Sequence, residues 1–326
     1  MPEKKIIAVM GATGLQGGAV INALLTIAAD EFSIRAICFS RNPESDKAKI
    51  LAEKGCEVVM ADADDVPSMV AAFSGAYGAF LVTPNNLAHM SMTHEIETTD
   101  KLREAVSEAK VEHVVLSTHV DTRPIINASD DKDTWKILHE AHNSYVPHYD
   151  GKGEAGQRFL DSDVPVTLLF TTFYYDNFIN FGWGPQQHGD EDQPLSIRFP
   201  IGDKAFPLNS LHDIGCNVVS ILQDPSTINT KQGVASTVAT GKEIAETFTK
   251  VIGEPVVFNA VPTDVYASFG FPGASYLANM FRFKVTFEAT LQTVEANEKR
   301  LGRKTDSLEA WIVENKAAFT PAKKSV

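Results

Sequence analysis

The feature that most constrains the fold is a glycine-rich segment near the start of the chain, Gly11-Ala-Thr-Gly14-Leu-Gln-Gly17. It directly follows a mostly apolar run, Lys5–Met10, and opens a segment whose apolar residues recur with helical spacing. Glycine is needed where a strand turns tightly into a helix and where the backbone must approach a phosphate. The start of that helix also offers N–H groups and a positive dipole end. The segment therefore predicts a strand–turn–helix unit that binds a dinucleotide.

Short apolar runs and helical segments alternate through the first half of the chain. The predicted strands are Lys5–Met10, Ser33–Phe39, Glu57–Met60, Gly78–Val82, His113–Ser117 and Val166–Thr171. The predicted helices follow Gly17, cover Asp46–Lys54, start near Pro67 and cover about Glu95–Ala109, the last with its charged residues on an outer face. Strands without polar alternation are typical of a sheet covered on both faces. The pattern predicts an α/β fold with a Rossmann-type, doubly wound parallel sheet.

The alternation ends after about residue 172. Gly and Pro are dense between Gly182 and Pro207, which indicates loops and short irregular strands. Later helices are predicted over Lys242–Val251 and Asp306–Phe319, the second beginning with a capping box at Asp306. The sequence thus predicts two domains: residues 1–172 for the dinucleotide, and residues 173–326 as a smaller, irregular α+β lobe that lines the cleft.

The chain of 326 residues is acidic, with a formal net charge of −13. This charge argues against binding of nucleic acid or anionic lipid, because both require clustered basic side chains. Its cysteines, Cys38, Cys56 and Cys216, form no motif and fit a reducing compartment. We recognise no secretory signal and no apolar run of membrane-spanning length. These features predict a soluble protein of the cytoplasm, with the nucleus as a second location.

The end of the second predicted strand indicates which dinucleotide is bound. Chains that bind NAD place Asp or Glu there for the ribose 2′-hydroxyl, roughly 20 residues past the glycines. Here the segment reads Phe39-Ser40-Arg41, and no acidic residue follows until Glu44. A guanidinium group suits a 2′-phosphate, which it can bind with two hydrogen bonds. We therefore expect NADP(H) to be preferred over NAD(H).

With these motifs, the chain resembles the NmrA-like family, a branch of the atypical short-chain dehydrogenases/reductases, and within it the HSCARG-type NADPH sensor subgroup. The resemblance covers nearly the whole chain. Besides the glycine turn, it rests on Arg41-Asn-Pro, Asp62, Asp150-Gly-Lys-Gly-Glu154, Tyr174-Tyr-Asp-Asn177, Gly270-Phe-Pro-Gly-Ala274 and Leu277-Ala-Asn-Met-Phe-Arg-Phe283. It implies a regulator or redox sensor that binds NADP(H) and acts through protein partners.

The resemblance also implies which residues contact the cofactor. The pyrophosphate would lie on the glycine turn, the 2′-phosphate on Arg41, adenine at Asp62, and the nicotinamide ribose at Lys152. The full predicted set is Gly11, Ala12, Thr13, Gly14, Leu15, Gln16, Arg41, Asp62, Ala63, Thr83, Pro84, Asn85, Lys152, Tyr174, Tyr175, Asp176 and Asn177. The chain departs from the subgroup at Pro43-Glu-Ser-Asp46, which is less basic, and at Val120–Pro147, which is longer.

Short-chain reductases transfer hydride with a Tyr acid, a Lys four residues later, and a Ser that orients the substrate. In this chain the position four residues before Lys152 is His148, while Tyr149 would face about 100° away around a helix. Ser117 fits the Ser position. The absence of the Tyr favours a binding protein without robust dehydrogenase activity. An imidazole can also donate a proton, so His148 keeps a reductase of a small apolar carbonyl, enone or quinone as the alternative.

Two further patterns have a structural and a functional interpretation. His139-Glu-Ala-His142 resembles a metal-ligand pair but lacks further ligands at defined spacing, so we predict a surface cluster and no metal site. The aromatic run from Phe173 to Phe181 either lines an apolar substrate cleft or packs the join between lobes. The sequence names neither the protein partner nor the oligomeric state, and a homodimer stays open.

Overall fold

The computed structural model describes residues 3–38, 45–83, 91–188, 190, 192–288 and 293–319. The chain divides into two compact units. The first comprises Met1–Thr171 and Ile214–Gly233, and the second comprises Thr172–Asp213 and Val234–Val326. Each unit is described separately below.

The strands of the described residues are β1 (Lys5–Met10), β2 (Phe32–Cys38), β3 (Glu57–Met60), β4 (Gly78–Leu81), β5 (His113–Thr118), β6 (Val166–Phe170), β7 (Phe173–Tyr174), β8 (Leu195–Phe199), β9 (Ala205–Asn209), β10 (Lys231–Gly233), β11 (Thr237–Thr240) and β12 (Val256–Ala260).

The helices of these residues are α1 (Leu15–Ile27), α2 (Asp46–Glu53), α3 (Val66–Phe73), α4 (Met92–Glu108), α5 (Thr122–Asn127), α6 (Pro147–Leu160), α7 (Asn177–Asn180), α8 (Leu211–Gln223), α9 (Gly241–Ile252), α10 (Thr263–Ala267), α11 (Ala274–Phe283), α12 (Val294–Leu301) and α13 (Leu308–Glu314). A π-helical turn, Lys284–Glu288, continues α11.

The first unit is built on one parallel sheet. Within the described chain its strand order is β10-β6-β5-β4-β1-β2-β3. From β1 the chain first adds β2 and β3 on one side and then β4, β5 and β6 on the other, so the direction of winding reverses between β1 and β4. In a doubly wound sheet, ligands bind at the carboxyl ends of the strands at this reversal. The predicted α/β class and parallel sheet are confirmed.

The first six strands match their predicted positions to within one residue at each end. Most of their apolar side chains are buried, and Ala8, Ala79 and Val114, for example, have no exposed surface. The exception is β3, the edge strand, whose apolar residues are half-buried. The agreement follows from the sequence pattern, since a short apolar run bounded by glycines and charged residues has few other ways to bury its side chains.

The division into units differs from the single boundary predicted near residue 172. Ile214–Gly233 belongs to the first unit, because β10 pairs with β6 and α8 packs against α1. The contact with α1 is close: a Cβ on Gly215 would come within 2.8 Å of the carbonyl carbon of Ala19. The amino-acid composition of Ile214–Gly233 does not differ from that of the flanking segments. It therefore gave no sign that this segment belongs to the first unit.

One predicted helix start is wrong. Helix α13 begins after Ser307, whose hydroxyl accepts from the N–H of Ala310, and not with a capping box at Asp306. The carboxylate of Asp306 is instead held by Ser210 and His212, each at 2.8 Å. These partners are distant in sequence, so local spacing could not reveal them.

The second unit has two small sheets, β11-β9-β7 and β12-β8, as far as the described residues show. Phe173 stacks on Trp183 with ring centroids 5.6 Å apart and packs edge-on against Phe199 and Phe206. Phe178 is also buried, whereas Phe181 is about half exposed. Most of the aromatic run therefore contributes to the core of this unit.

Gly17 tests the packing of the glycine turn. A Cβ there would lie 2.6 Å from the carbonyl carbon of Gly11, whereas a Cβ on Gly18 finds its nearest neighbour at 3.8 Å. We expect Gly17→Ala to lower the free energy of unfolding by about 1–3 kcal/mol, through forced backbone shifts. Gly18→Ala, the matched control on the same helix, should be neutral or add up to about 1 kcal/mol from helix propensity. Urea unfolding measures both, and equal effects would contradict the close approach.

The fully buried His113 at the start of β5 predicts a pH dependence of stability. Burial lowers the pKa of His113 from 6.5 to about 4, and Asp224 opposes this shift. The unfolded state therefore binds more protons between pH 6.5 and pH 4, and stability falls as the pH drops through that window. We expect a loss of about 2 kcal/mol between pH 7 and pH 5 from this group.

Urea unfolding of the wild type, His113→Gln and His94→Gln at the two pH values checks this expectation. The Thr167 hydroxyl donates to the Thr227 carbonyl, so it can accept from the amide that replaces His113. His113→Gln should therefore lose clearly less stability on acidification than the wild type. His94 is exposed and its variant should behave like the wild type. The same acid sensitivity in all three proteins would contradict the assignment.

Candidate cofactor site

The glycine turn connects β1 to α1 at the carboxyl edge of the sheet. Gly11 has a φ of 65°, a left-handed conformation that favours glycine. Its carbonyl accepts from the N–H of Gly14 at 2.8 Å, and Gly14 in turn accepts from Gly18 at 2.9 Å. The close approach of Gly17 to Gly11 brings the first turn of α1 directly against the end of β1. The turn therefore places the N-terminus of α1 at the carboxyl end of β1.

The start of α1 is suited to an anion. Its N-cap is Gly14, no side chain caps its N–H groups, and its first turn contains no acidic residue. By contrast, α2 and α4 are capped by Ser45 and Ser91, and both have an acidic residue in the first turn. An uncapped helix N-terminus behind a glycine turn is the geometry that binds phosphate. The described turn, Gly11 to Gln16, has a geometry suited to a pyrophosphate, and its contact with a cofactor stays a prediction.

Ser117 and Gln16 meet at the same edge. The hydroxyl of Ser117, at the end of β5, donates to the side-chain oxygen of Gln16 at 2.7 Å. Two positions predicted separately, one as an orienting serine and one as part of the pyrophosphate turn, are therefore in direct contact. Ser117 thereby positions a side chain of the turn.

Lys152 extends to the end of β4. Its ammonium group donates to the Thr83 carbonyl at 3.3 Å, to the Thr83 hydroxyl, and to the carboxylate of Glu95 at 3.0 Å. The Thr83 hydroxyl also donates to Glu95. The Lys152 side chain is 8% exposed and that of Glu95 is 18% exposed. The predicted cofactor residues Thr83 and Lys152 are brought together, and Glu95 joins them.

A buried carboxylate fixes the helix that carries Lys152. Asp150 has no exposed surface, and burial raises its pKa while hydrogen bonds from Ser144 and Thr122 oppose the rise. Its two oxygens accept from the Thr122 N–H and hydroxyl at 2.7 and 2.6 Å, and from the Ser144 hydroxyl at 2.5 Å. The N–H groups of Tyr145 and Val146 donate to it as well. Asp150 thus ties the start of α6 to the segment Val120–Pro147.

The glycines on either side of Lys152 allow α6 to lie close to its neighbours. A Cβ on Gly153 would come within 2.6 Å of the Asp121 Cα, and one on Gly151 would touch Met92. The Thr118 hydroxyl donates to the Lys152 carbonyl at 2.6 Å. The Asp150–Glu154 motif therefore has a packing explanation that is independent of any ligand.

His148 lies on α6 one turn before Lys152 and is 7% exposed. Its neighbour Tyr149 is 2% exposed and stacks on His119, with ring centroids 4.1 Å apart and planes 7° from parallel. His148 contacts Tyr149 edge-on, with centroids 5.0 Å apart. The imidazole of His148 thus occupies the position at which a short-chain reductase has its tyrosine. Tyr149, the neighbouring tyrosine, is packed against the imidazole ring of His119.

The remaining predicted contacts differ in what the structure shows of them. Asp62 is exposed after β3, and one of its oxygens accepts from the N–H of Asp64 at 3.0 Å. Ala63 is half-buried beside it. Arg41, Pro84 and Asn85 lie outside the described residues, so their roles stay predictions.

Tyr174–Asn177 lies in the second unit. Tyr175 has no exposed surface, and its hydroxyl bonds to the Thr237 hydroxyl at 2.6 Å and to the Asp306 carbonyl at 3.0 Å. That side chain contributes to the interior of its own unit. Tyr174, Asp176 and Asn177 are half-buried. Their contact with a cofactor stays a prediction.

Asp176 also lines a cavity within the second unit. The cavity has a volume of about 380 Å³ and is bordered by Ser210, Leu211, His212, Asp306, Ala310, Trp311 and Glu314. Burial raises the pKa of Asp176. His212, Asp213 and Asp306 lie near this cavity, with potential metal-ligand atoms within 4.8 Å of one another. Among the described residues, this is the group of His, Cys, Asp or Glu side chains close enough to share a metal ion. Arg303 donates to Asp213 at 2.7 Å and to Asp306 at 3.3 Å, and balances their charge.

The predicted pair His139 and His142 is half-exposed, with ring centroids 4.9 Å apart. The segment between them forms a single 3₁₀ turn, Glu140–His142, rather than an α-helix. In the part of the chain that the structure describes, no helix combines the length and apolar character needed to cross a membrane.

Sequence reasoning missed Glu95 and the role of Asp150. The charged residues of α4 were assigned to its outer face, and Ser91 at the N-cap instead places Glu95 in the first turn, against Lys152. The sequence contained a signal for this role: Ser91 is a good N-cap residue, and it places the acidic Glu95 in the first turn of α4. A first-turn carboxylate near the end of a strand can pair with a basic side chain there. Asp150 was recognised as part of a motif, but its donors are up to 28 residues away in sequence.

Comparison with proteins of known sequence points to one family. A sequence model of the NmrA-like family matches residues 3–312. The NmrA-like family domain-containing oxidoreductase malD of Malbranchea aurantiaca is 30% identical over 261 residues, which are 77% of this chain and 74% of that protein.

Solved structures share the fold. NmrA, a negative transcriptional regulator solved with NADP, aligns with a TM-score of 0.74 at 18% identity over 99% of this chain and 98% of that chain. An NADPH-dependent quinone oxidoreductase from Escherichia coli aligns with a TM-score of 0.70 at 20% identity, over 95% of this chain and 99% of that chain. At these identities the likeness shows the fold alone. With the family match from residue 3 to residue 312, the conclusion is that this chain belongs to the NmrA-like family.

Proposed function

We propose that this protein binds NADP(H) and acts as a regulator or redox sensor through a protein partner, without robust dehydrogenase activity. The observation that carries the proposal is on α6. The position one turn before Lys152 holds His148, and the Lys152 ammonium is bonded to Thr83 and Glu95. The apparatus for a cofactor is present, while the tyrosine acid of a short-chain reductase is not.

Support for a bound dinucleotide comes from the glycine turn. Its uncapped helix start, the absence of acidic residues in the first turn and the close packing of Gly17 on Gly11 match what a pyrophosphate requires. NmrA has been solved with NADP and also with NAD, so relatives do not decide between the two cofactors. The preference for NADP(H) rests on Arg41, and the resemblance to the HSCARG-type sensors also rests on the sequence motifs.

Support for a regulatory role comes from the missing acid, and one structural neighbour, NmrA, is named a negative transcriptional regulator. A protein that binds a redox cofactor without consuming it can report on the cofactor, since ligand binding shifts the population of conformations that a partner meets. The net charge of −13 favours a protein partner over nucleic acid.

A second candidate is an NADPH-dependent reductase of a small apolar carbonyl, enone or quinone. Two observations favour it. His148 is buried at the acid position, and imidazole is a competent proton donor near neutral pH. The relative malD is named an oxidoreductase, and a structural neighbour is a quinone oxidoreductase.

Calorimetric titration with NADPH and NADH tests the cofactor assignment. We expect NADPH to bind more tightly, because a guanidinium at residue 41 would pair with the 2′-phosphate. Arg41→Glu should weaken NADPH by about tenfold or more, close to 1.4 kcal/mol, and leave NADH within about twofold. The exposed Lys47 supplies a control, since Lys47→Glu makes a similar charge change nearby. Equal affinities for the two cofactors in the wild type would contradict the role of Arg41.

A screen of NADPH oxidation with quinones and enones separates the two candidate functions. We expect rates far below the common enzyme value of about 10 per second, because the tyrosine acid is absent. His148→Ala should then leave the slow background unchanged, with NADPH affinity and circular dichroism as checks on folding. Turnover near 10 per second that is lost in His148→Ala, but kept in the exposed-site control His94→Ala, would establish the reductase instead.

A further inference from the structure

The carboxylate of Glu95 lies in the candidate cofactor site, and neither candidate function gives it a role. It lies in the first turn of α4 and reaches Lys152 at 3.0 Å, with the Thr83 hydroxyl donating to it as well. Both charged side chains are largely buried, at 18% and 8% exposure. A pair held in this way interacts through protein rather than through water, so removing one charge leaves the other poorly compensated.

The position of this pair along the sheet identifies which half of a dinucleotide would meet it. Thr83 comes two residues after the end of β4, on the side of the winding reversal that holds β4 and β5. In this type of fold the adenosine half lies over the β2 side, where the ribose-binding acid or Arg stands, and the dinucleotide spans the reversal. The nicotinamide half therefore falls on the side of Thr83, Glu95 and Lys152.

We propose that Glu95 sets the relative affinity of the site for the oxidised and the reduced cofactor. This inference rests on the proposed binding of NADP(H) and adds a specificity-determining residue to it. The oxidised nicotinamide ring carries a positive charge, whereas the reduced ring is neutral. An isolated Lys152 ammonium would repel only the oxidised ring. The carboxylate of Glu95 neutralises that ammonium and so permits the oxidised form to bind.

The same charges predict the direction of change for each variant. Glu95→Gln leaves the ammonium uncompensated, and should weaken NADP⁺ relative to NADPH by about fivefold to tenfold. Lys152→Met leaves the carboxylate, and should shift the ratio of affinities the opposite way by a similar factor. In the double variant the two effects should largely cancel in the ratio, even where both affinities fall because a ribose contact is lost.

The experiment is calorimetric titration of NADP⁺ and NADPH into the full chain of the wild type and each variant. Glu97→Gln is the matched control, since Glu97 is exposed on the same helix and the substitution removes the same charge. Its ratio of affinities should equal that of the wild type. Glu95→Asp keeps the charge and should stay closer to the wild type than Glu95→Gln.

The outcomes separate this inference from the proposed function. A wild type that binds neither form contradicts the proposed function, and the inference with it. A wild type that binds both forms, with Glu95→Gln changing both affinities by the same factor, overturns only the inference. If Glu95→Gln does not fold, Lys152→Met decides: a shift of the ratio toward NADP⁺ supports the inference, and an unchanged ratio overturns it.

Discussion

The buried carboxylate of Asp150 is the interaction on which the candidate site depends. Five donors converge on it, from Thr122 and from residues 144–146, and they hold the first turn of α6 in one position. Breaking such a network would leave a buried charge or several buried donors without partners, which is costly. Helix α6 carries both His148 and Lys152, so this anchor positions both side chains.

Two groups of charges lie along the carboxyl edge of the sheet in the candidate site: the N-terminus of α1, and the pair formed by Lys152 of α6 with Glu95. At the glycine turn, the helix N-terminus offers N–H groups and a positive dipole end without any competing acidic side chain. At the end of β4, Lys152 is matched by Glu95. The first group is suited to a phosphate, and the second is close to neutral. A chain of net charge −13 can therefore bind an anionic cofactor only through local attraction, which makes its binding sensitive to salt.

Predictions from the sequence succeeded where local pattern and tertiary burial agree. The strands β1 to β6 were located because covered parallel strands must be continuously apolar, and the glycine turn because its spacing satisfies a close contact between Gly17 and Gly11. They failed where partners distant in sequence decide. Asp306 was taken as a helix cap and instead bonds Ser210 and His212, and Glu95 was assigned to an outer face and instead meets Lys152.

The sequence by itself determined the fold class and the glycine turn, because these depend on residue types at short, regular spacing. Its resemblance to the NmrA-like family agrees with the family match over residues 3–312. The sequence also determined that a histidine stands where a reductase has its tyrosine. Only the tertiary structure decided that Ile214–Gly233 joins the first unit, that Ser117 bonds Gln16, and that Lys152 is paired. The physical reason is that a hydrogen bond or ion pair requires two groups within about 3 Å, and such proximity between distant residues is set by packing rather than by spacing.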